Sequence, residues 1–184
     1  MTLVEWARLA EDEPGEIEDD RLVEEEVPDL FHETFVAFLV FTFKAWLVGR
    51  GGFVFGSEGK FAVAPRRGRK PDVTVFLPGS PKPPARGLVR TPPDIAIEVV
   101  SPTPRDGRRD RIEKAREYAA FGVKWYWLVD PALRSLEIYE LGADARYVRA
   151  VGEDHGRVAI PGCEGLTLDL DAMWAEGDRL EAAE

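Results

Sequence analysis

Two short β-type runs, PDVTVF from Pro71 and PDIAIEVV from Pro93, constrain this chain most, because each sets one acid among side chains that belong in a core. Asp72 and Glu98 stand twenty-six positions apart in these runs. A buried carboxylate must be neutralised, hydrogen-bonded or bound to a cation. Two in neighbouring strands therefore point to a shared cation, with a structural pairing to Arg or backbone groups as the plainer alternative. Strand side chains alternate, so Asp94, Ala96, Glu98 and Val100 share one face while Ile95, Ile97 and Val99 share the other. A hard ion such as Mg²⁺, or Mn²⁺ in its place, takes one or two carboxylates and completes its shell with water and phosphate oxygens. Asp72 and Glu98 are thus the expected metal ligands, and the Val99 carbonyl can add a third.

The remaining patterning describes a mixed α/β chain. Thr2 caps a short helix, TLVEWARLA, ended by the loop DEPG at Pro14 and Gly15, and an acidic stretch follows. From Asp29 to Gly49 the sequence is helical and apolar on nearly every face, which predicts burial all round. The apolar run from Phe35 to Val48 covers only fourteen residues and includes Thr42 and Lys44. That is short of the roughly 20 residues that cross a bilayer, so a core helix that also packs on a partner subunit is expected. FVFGSEGKFAVA then reads as two strands about a glycine turn, followed by a basic loop and PDVTVF. Six prolines between Pro78 and Pro93 mark an irregular connection to the second acidic strand, which breaks at Ser101 to Pro104. A helix is expected from Arg108 to Phe121 with Gly122 as its stop, then a buried strand WYWLVD, strands LEIYEL and YVRAV, and TLDLDAMW before an acidic end.

Composition narrows the function. At 184 residues the chain is most simply one domain over 1–184, with residues 1–28 as an N-terminal helix and acidic arm. Cys163 alone makes no disulfide framework, and His32 and His155 give little material for zinc. Cys163 reads as a small apolar core residue. Glu11 to Glu13 and Glu24 to Glu26 are the reverse of a signal peptide's basic start, so a cytoplasmic, non-membrane protein is expected. The net charge of −10 disfavours a polyanion partner, but Lys60 to Arg116 holds fourteen Lys and Arg against six Asp and Glu. Arg66, Arg67, Arg69 and Lys70, with Arg108 and Arg109, are the candidate nucleic-acid contacts. The competing reading of the first four is a solvated loop.

The order Pro71-Asp72 then Glu98 resembles the PD-(D/E)XK nuclease superfamily, whose motif ends in a lysine two positions after the second acid. Val100 stands there. PDIAIEVVSPT followed by DRIEKAREYAAFGVKWYWLVDP is similar to the bacterial Uma-type endonuclease family, in which the lysine has moved to the next helix, and Lys114 is the matching residue. TLVEWARLA, EIEDDRLV and IPGCEGLTLDL extend the likeness over most of the chain. The resemblance implies a restriction endonuclease-like core of a helix, three to four strands, a helix and a strand, with extra C-terminal strands.

It further implies a Mg²⁺-dependent nuclease acting on DNA, or on RNA with the same residues, in which Asp72, Glu98 and Lys114 are catalytic. Lys114 can instead form an ordinary exposed ion pair with Asp110, four residues earlier. His32, Glu33, Glu16 and Tyr118 are possible accessory residues; a helix-start role for the first two, solvated acidic surface for Glu16 and plain packing for Tyr118 compete. Trp125, Tyr126 and Trp127 offer base stacking or a core strand. The alternative to an enzyme is a non-catalytic nucleic-acid-binding or oligomeric assembly module on the same fold. A homodimer fits both the apolar helix and the need to cut two strands.

Overall fold

A computed structural model describes residues 1–9, 15–23, 29–101 and 108–182. Its central sheet has six strands: β3 (Phe53–Phe55), β6 (Val73–Phe76), β7 (Ile95–Val99), β8 (Trp125–Asp130), β9 (Ser135–Leu141) and β10 (Tyr147–Glu153). They lie in the order β10-β9-β8-β7-β6-β3. Only β7 and β8 run parallel, and the chain between them is the crossover that a parallel pair requires. Every residue of β7 and β8 is buried, as their continuous apolar runs predict. The stacking alternative for Trp125, Tyr126 and Trp127 is thereby corrected, since all three rings lie in the core.

Helices cover both faces. Helix α2 (Leu30–Leu47), capped by Asp29, lays Phe35, Leu39 and Phe43 on Val73, Val75, Ile95, Ile97 and Trp127. The opposite face receives a helical segment formed by a π-helical turn, π1 (Arg109–Lys114), continued by α3 (Ala115–Phe121). Tyr118 packs there with Phe76, Ala96, Tyr126 and Leu128. Gly122 ends α3 at φ +97, the left-handed conformation expected of a stop glycine. The helix α1 (Leu3–Ala7) begins with the capping box Thr2 and Glu5.

Several expectations are corrected. Helix α2 is not buried all round: Phe41 is 73% and Val48 72% exposed, and with Ala37 and Ala45 they form an outward apolar stripe, the surface on which the homodimer expectation rests. FVF and FAVA are strands, but they are not paired with each other; β3 joins the large sheet and β4 (Phe61–Ala64) a second one. The stretch read as an acidic arm enters that second sheet as β1 (Glu16–Glu18) and β2 (Arg21–Val23). These two form a hairpin turned by Asp19 and Asp20, both at positive φ, as the two-residue turn that matches strand twist requires. The basic loop is likewise a strand, β5 (Arg67–Arg69), and the sheet runs in the order β2-β1-β5-β4. TLDLDAMW divides into β12 (Thr167–Asp169), paired with β11 (Arg157–Ala159), and a helix α4 (Leu170–Glu181) capped by Asp169. Neither β11 nor α4 was expected; α4 packs Trp174 on Phe35 of α2. Pro14, the acids of residues 11–13 and 24–26, and the break at residues 102–104 lie outside the described residues.

The small sheet is pinned by Trp6, fully buried with Leu3, Ile17 and Ala62, its indole donating to the Gly15 carbonyl at 3.0 Å. Gly68 of β5 lies directly beneath the ring, and a Cβ there would stand 2.4 Å from Trp6 Cζ3. Gly68→Ala is therefore expected to lower the stability by about 1–3 kcal/mol through overpacking. Urea unfolding, followed by tryptophan fluorescence, should show the shift in midpoint.

Candidate functional site

The site arises where the β6–β7 ladder stops. Val73 pairs with Ile97, so one further step in the antiparallel register sets Asp72 opposite Glu98. On this side of β7 the ladder ends there, and side chains take over the backbone groups of Val99. The Val99 N–H donates to Asp72 Oδ2 at 2.7 Å, and the Val99 carbonyl faces His32 Nε2 at 3.2 Å. The same His32 nitrogen lies 3.3 Å from Asp72 Oδ2, delivered by the first turn of α2. Burial alone would lower the His32 pKa, but the hydrogen bond and charge of Asp72 carry it above its ordinary value. Glu33, beside it on the helix, is 3.7 Å from His32 Nδ1.

Glu98 is 2% exposed and both of its oxygens are engaged. Lys114 Nζ lies 2.9 Å from Oε2, and the Tyr118 hydroxyl donates to Oε1 at 2.6 Å. Burial pushes the Glu98 carboxyl well above the usual range; Lys114 opposes this, while Asp72, Asp110 and Glu16 add to it. Burial and the Glu98 charge also hold Tyr118 well above a normal phenol, as a neutral donor. Lys114 is itself 4% exposed, which corrects the exposed-pair alternative: its contact with Asp110 Oδ1 exists, at 3.2 Å, but inside the protein and beside Glu98. Asp110, buried and raised by that burial, is a member of this group that the sequence offered only as a pairing partner.

The helix geometry explains the alignment. In an α-helix a residue four positions on overshoots a full turn by about 40°. The wider π turn undershoots it, because its bonds close from i to i+5. One π step from Asp110 to Lys114 and one α step to Tyr118 therefore nearly cancel. The 110, 114, 118 spacing was the available signal, but it does not announce a π turn.

Behind this group lies a second charge network. Glu16 of β1, fully buried, accepts from Arg69 Nη1 at 2.6 Å, Arg109 Nη2 at 3.0 Å and the Lys70 N–H at 2.7 Å. Its other approach is to Lys114, at 3.9 Å. Burial opposes its ionisation, yet Lys114, Arg69 and Arg109 outweigh that and lower its pKa to about 2. Arg69, 0% exposed, also takes Glu117 in a bidentate pair at 2.6 and 3.0 Å and Glu18 at 2.8 Å. Arg69 and the buried Arg109 are thus structural cations, which corrects their assignment as nucleic-acid contacts. Arg66, Arg67 and Lys70 reach the surface, but they pair with Asp20 at 2.5 Å, Asp19 at 3.0 Å and Glu58 at 3.3 Å. Arg108 is exposed and immediately precedes the π turn. Lys82, Arg86 and Arg90 are exposed too, but on the connection at the opposite end of the β6–β7 pair. Glu117, another partner in the network, had no signal beyond its place on the helix.

A helix-flanked mixed sheet with paired acids where two central strands part is the arrangement on which comparison with known proteins bears. The family model Uma2, described as "Putative restriction endonuclease", matches residues 3–171, and the chain belongs to that family. The crystal structure of a "putative nuclease belonging to DUF820" from Anabaena variabilis ATCC 29413 has the same fold. It aligns over 96% of this chain and 99% of that one, with a TM-score of 0.75 and 19% identity. No curated protein matches the chain.

Among the described residues, no cluster of three or more His, Cys, Asp or Glu stands ready to enclose a metal. A Mg²⁺ site with its own waters needs fewer protein donors. Asp72 Oδ1 has no hydrogen-bond partner among the described residues, and it stands on the carboxylate that meets the Val99 backbone. With Glu98 across the register, that donor set fits a hard cation.

Proposed function

We propose that the chain hydrolyses phosphodiester bonds in DNA with the help of a divalent cation, Mg²⁺ or Mn²⁺. The observation that carries this reading is the crowding of acids where the two strands part: Glu98 and Asp110 share the Lys114 ammonium at 2.9 and 3.2 Å, and the charge of Asp72 pushes the pKa of both upward. Such crowding is what a bound cation relieves. Asp72, Glu98 and the Val99 carbonyl would hold the ion. When bound, it supplies a more acidic water and neutralises charge on the phosphoryl oxygens.

The other tasks fall to the chain's own groups. Lys114 hydrogen-bonds the attacking water or a non-bridging oxygen and offsets the charge that develops there. Tyr118 fixes the Glu98 rotamer through its 2.6 Å hydrogen bond. His32 holds Asp72 in place from the helix side. Arg108, exposed just before the π turn that carries Asp110 and Lys114, is the candidate to meet a phosphate. RNA presents the same reacting group, so a panel of single- and double-stranded DNA and RNA defines the substrate.

Calorimetric titration with Mn²⁺ tests the reading directly. Glu98, its pKa raised in the fold, must lose its proton to bind the ion. Apparent affinity is therefore expected to climb with pH, by up to about tenfold per unit for one displaced proton, and to level off above the raised pKa. No heat of binding at any pH would favour the non-catalytic module, and cleavage that proceeds fully in chelator would contradict dependence on the cation.

A further inference from the structure

The connection from β6 to β7 carries charge and stiffness that the site does not use. Between Leu77 and Pro93 it holds six prolines, Lys82, Arg86 and Arg90, and no acid. All three cations are exposed and, among the described residues, none has a carboxylate partner, whereas Arg66, Arg67, Arg69 and Lys70 around β5 are all paired. The connection is anchored at both ends. The Leu77 N–H donates to Asp94 Oδ2 at 2.7 Å, and the buried Val89 exchanges backbone hydrogen bonds with Lys60 and Ala62 at 2.9 and 2.8 Å.

Between those anchors, each residue from Ser80 to Pro84 is either a proline or the residue before one. A proline ring fixes φ, and the residue before it is held extended, so covalent geometry winds this segment as a polyproline II helix. Such a helix has three residues per turn, and the exposure repeats with it. Ser80 and Pro83 are half-buried, while Pro81 with Pro84, and Lys82 with Ala85, are exposed. Two of its three edges thus face solvent, one of proline rings and one that carries a cation.

A preformed helix without internal hydrogen bonds offers a partner its shape at little cost in ordering. Prolines one turn apart, as Pro81 and Pro84 are, suit grooves lined by aromatic rings. Charge narrows the partner further, because a strap with cations and no acid is complemented by carboxylates at the groove's border. Its placement disfavours the DNA of the proposed reaction. The strap leaves β6 at the end away from Asp72, five residues or about 17 Å along an extended chain. We infer that residues 80–86 form a docking strap for a partner protein whose groove is lined by aromatic rings and bordered by acidic side chains. Docking there leaves the site open and does not depend on the cation reading.

The probe is a purified SH3 domain with an acidic border to its groove, titrated into the whole protein labelled with nitrogen-15 and followed by NMR. The amides of Lys82, Ala85 and Arg86 are expected to shift saturably with one dissociation constant, while those of Asp72 and Val99 stay in place. Pro81→Ala combined with Pro84→Ala should weaken binding at least about tenfold, since it frees two φ angles and removes both rings. Lys82→Gln combined with Arg86→Gln should weaken it about threefold or more. These side chains are exposed, so both variants should fold as the wild type does, and Pro84→Ala alone is the milder substitute. No strap shift at millimolar probe would overturn the inference. So would shifts that persist unchanged in the proline variant. A DNA duplex that moves the same amides at lower concentration than the SH3 domain, and loses that effect only in the Lys82 and Arg86 variant, would also overturn it and assign the strap to nucleic acid.

Discussion

Glu98→Gln and Asp72→Asn are each expected to reduce phosphodiester cleavage by on the order of a thousandfold or more, by removing a charged ligand from the cation that carries the reaction. Isosteric amides are the informative choice. The amide oxygen introduced at position 72 can still accept the Val99 N–H, and the one at position 98 the Tyr118 hydroxyl, so the local geometry survives while the charge is lost. Glu98→Gln carries a second expectation of opposite sign. A carboxyl held well above its usual pKa by burial costs stability at neutral pH, so replacing it should leave the melting temperature unchanged or raise it. The sign follows from linkage. For a raised carboxyl the folded state is favoured most below the unfolded value of about 4.5, and that contribution fades as pH rises through the folded one. A gain in stability with a loss of cleavage marks a functional group; a loss of both would mark Glu98 as a structural partner of Lys114. Plasmid cleavage assayed in Mg²⁺ alongside calorimetric melting separates the two, and full activity in either variant would end the proposed mechanism.

The part of this site that could be read from the sequence is the part written as strand pattern. Apolar alternation exposes Asp72 and Glu98 as misfits, and the antiparallel register then sets them opposite one another. The partnership of Lys114 with Glu98 needed the family resemblance, since a sixteen-residue separation across a strand end and a helix start carries no period of its own. The role of Arg69 was misread because a run of cations looks solvated unless its partners are known. Those partners, Glu16, Glu18 and Glu117, come from a hairpin and a helix far away in sequence. Helix α2 shows the reverse limit. Apolar residues on all sides predict burial on all sides, yet a sheet covers only one flank of a helix, and nothing in the pattern says which flank stays open.

That buried cation network gives the largest stability effect expected in the molecule. Arg69→Met keeps the side-chain volume and removes the charge that Glu16, Glu18 and Glu117 share. Breaking a buried pair from one side costs about 3–5 kcal/mol, because the remaining charges stay behind without compensation. For a chain of this size that is a fall in Tm of roughly 6–20 °C. Glu16 lies deepest and has the most to lose, so the deficit should depend on pH. Its carboxyl is lowered to about 2 in the folded protein, so it contributes stability above the unfolded value of about 4.5 that is lost as pH falls toward 2. The gap between wild type and Arg69→Met should accordingly be widest near neutrality and narrow over that acid range. Arg69→Lys should recover only part of it, since an ammonium cannot reproduce the two-point grip on Glu117. Melts of the three proteins between about pH 2 and 7 measure all of this, and a pH-independent difference would mean that Glu16 draws its stability from Arg109 and Lys114 instead.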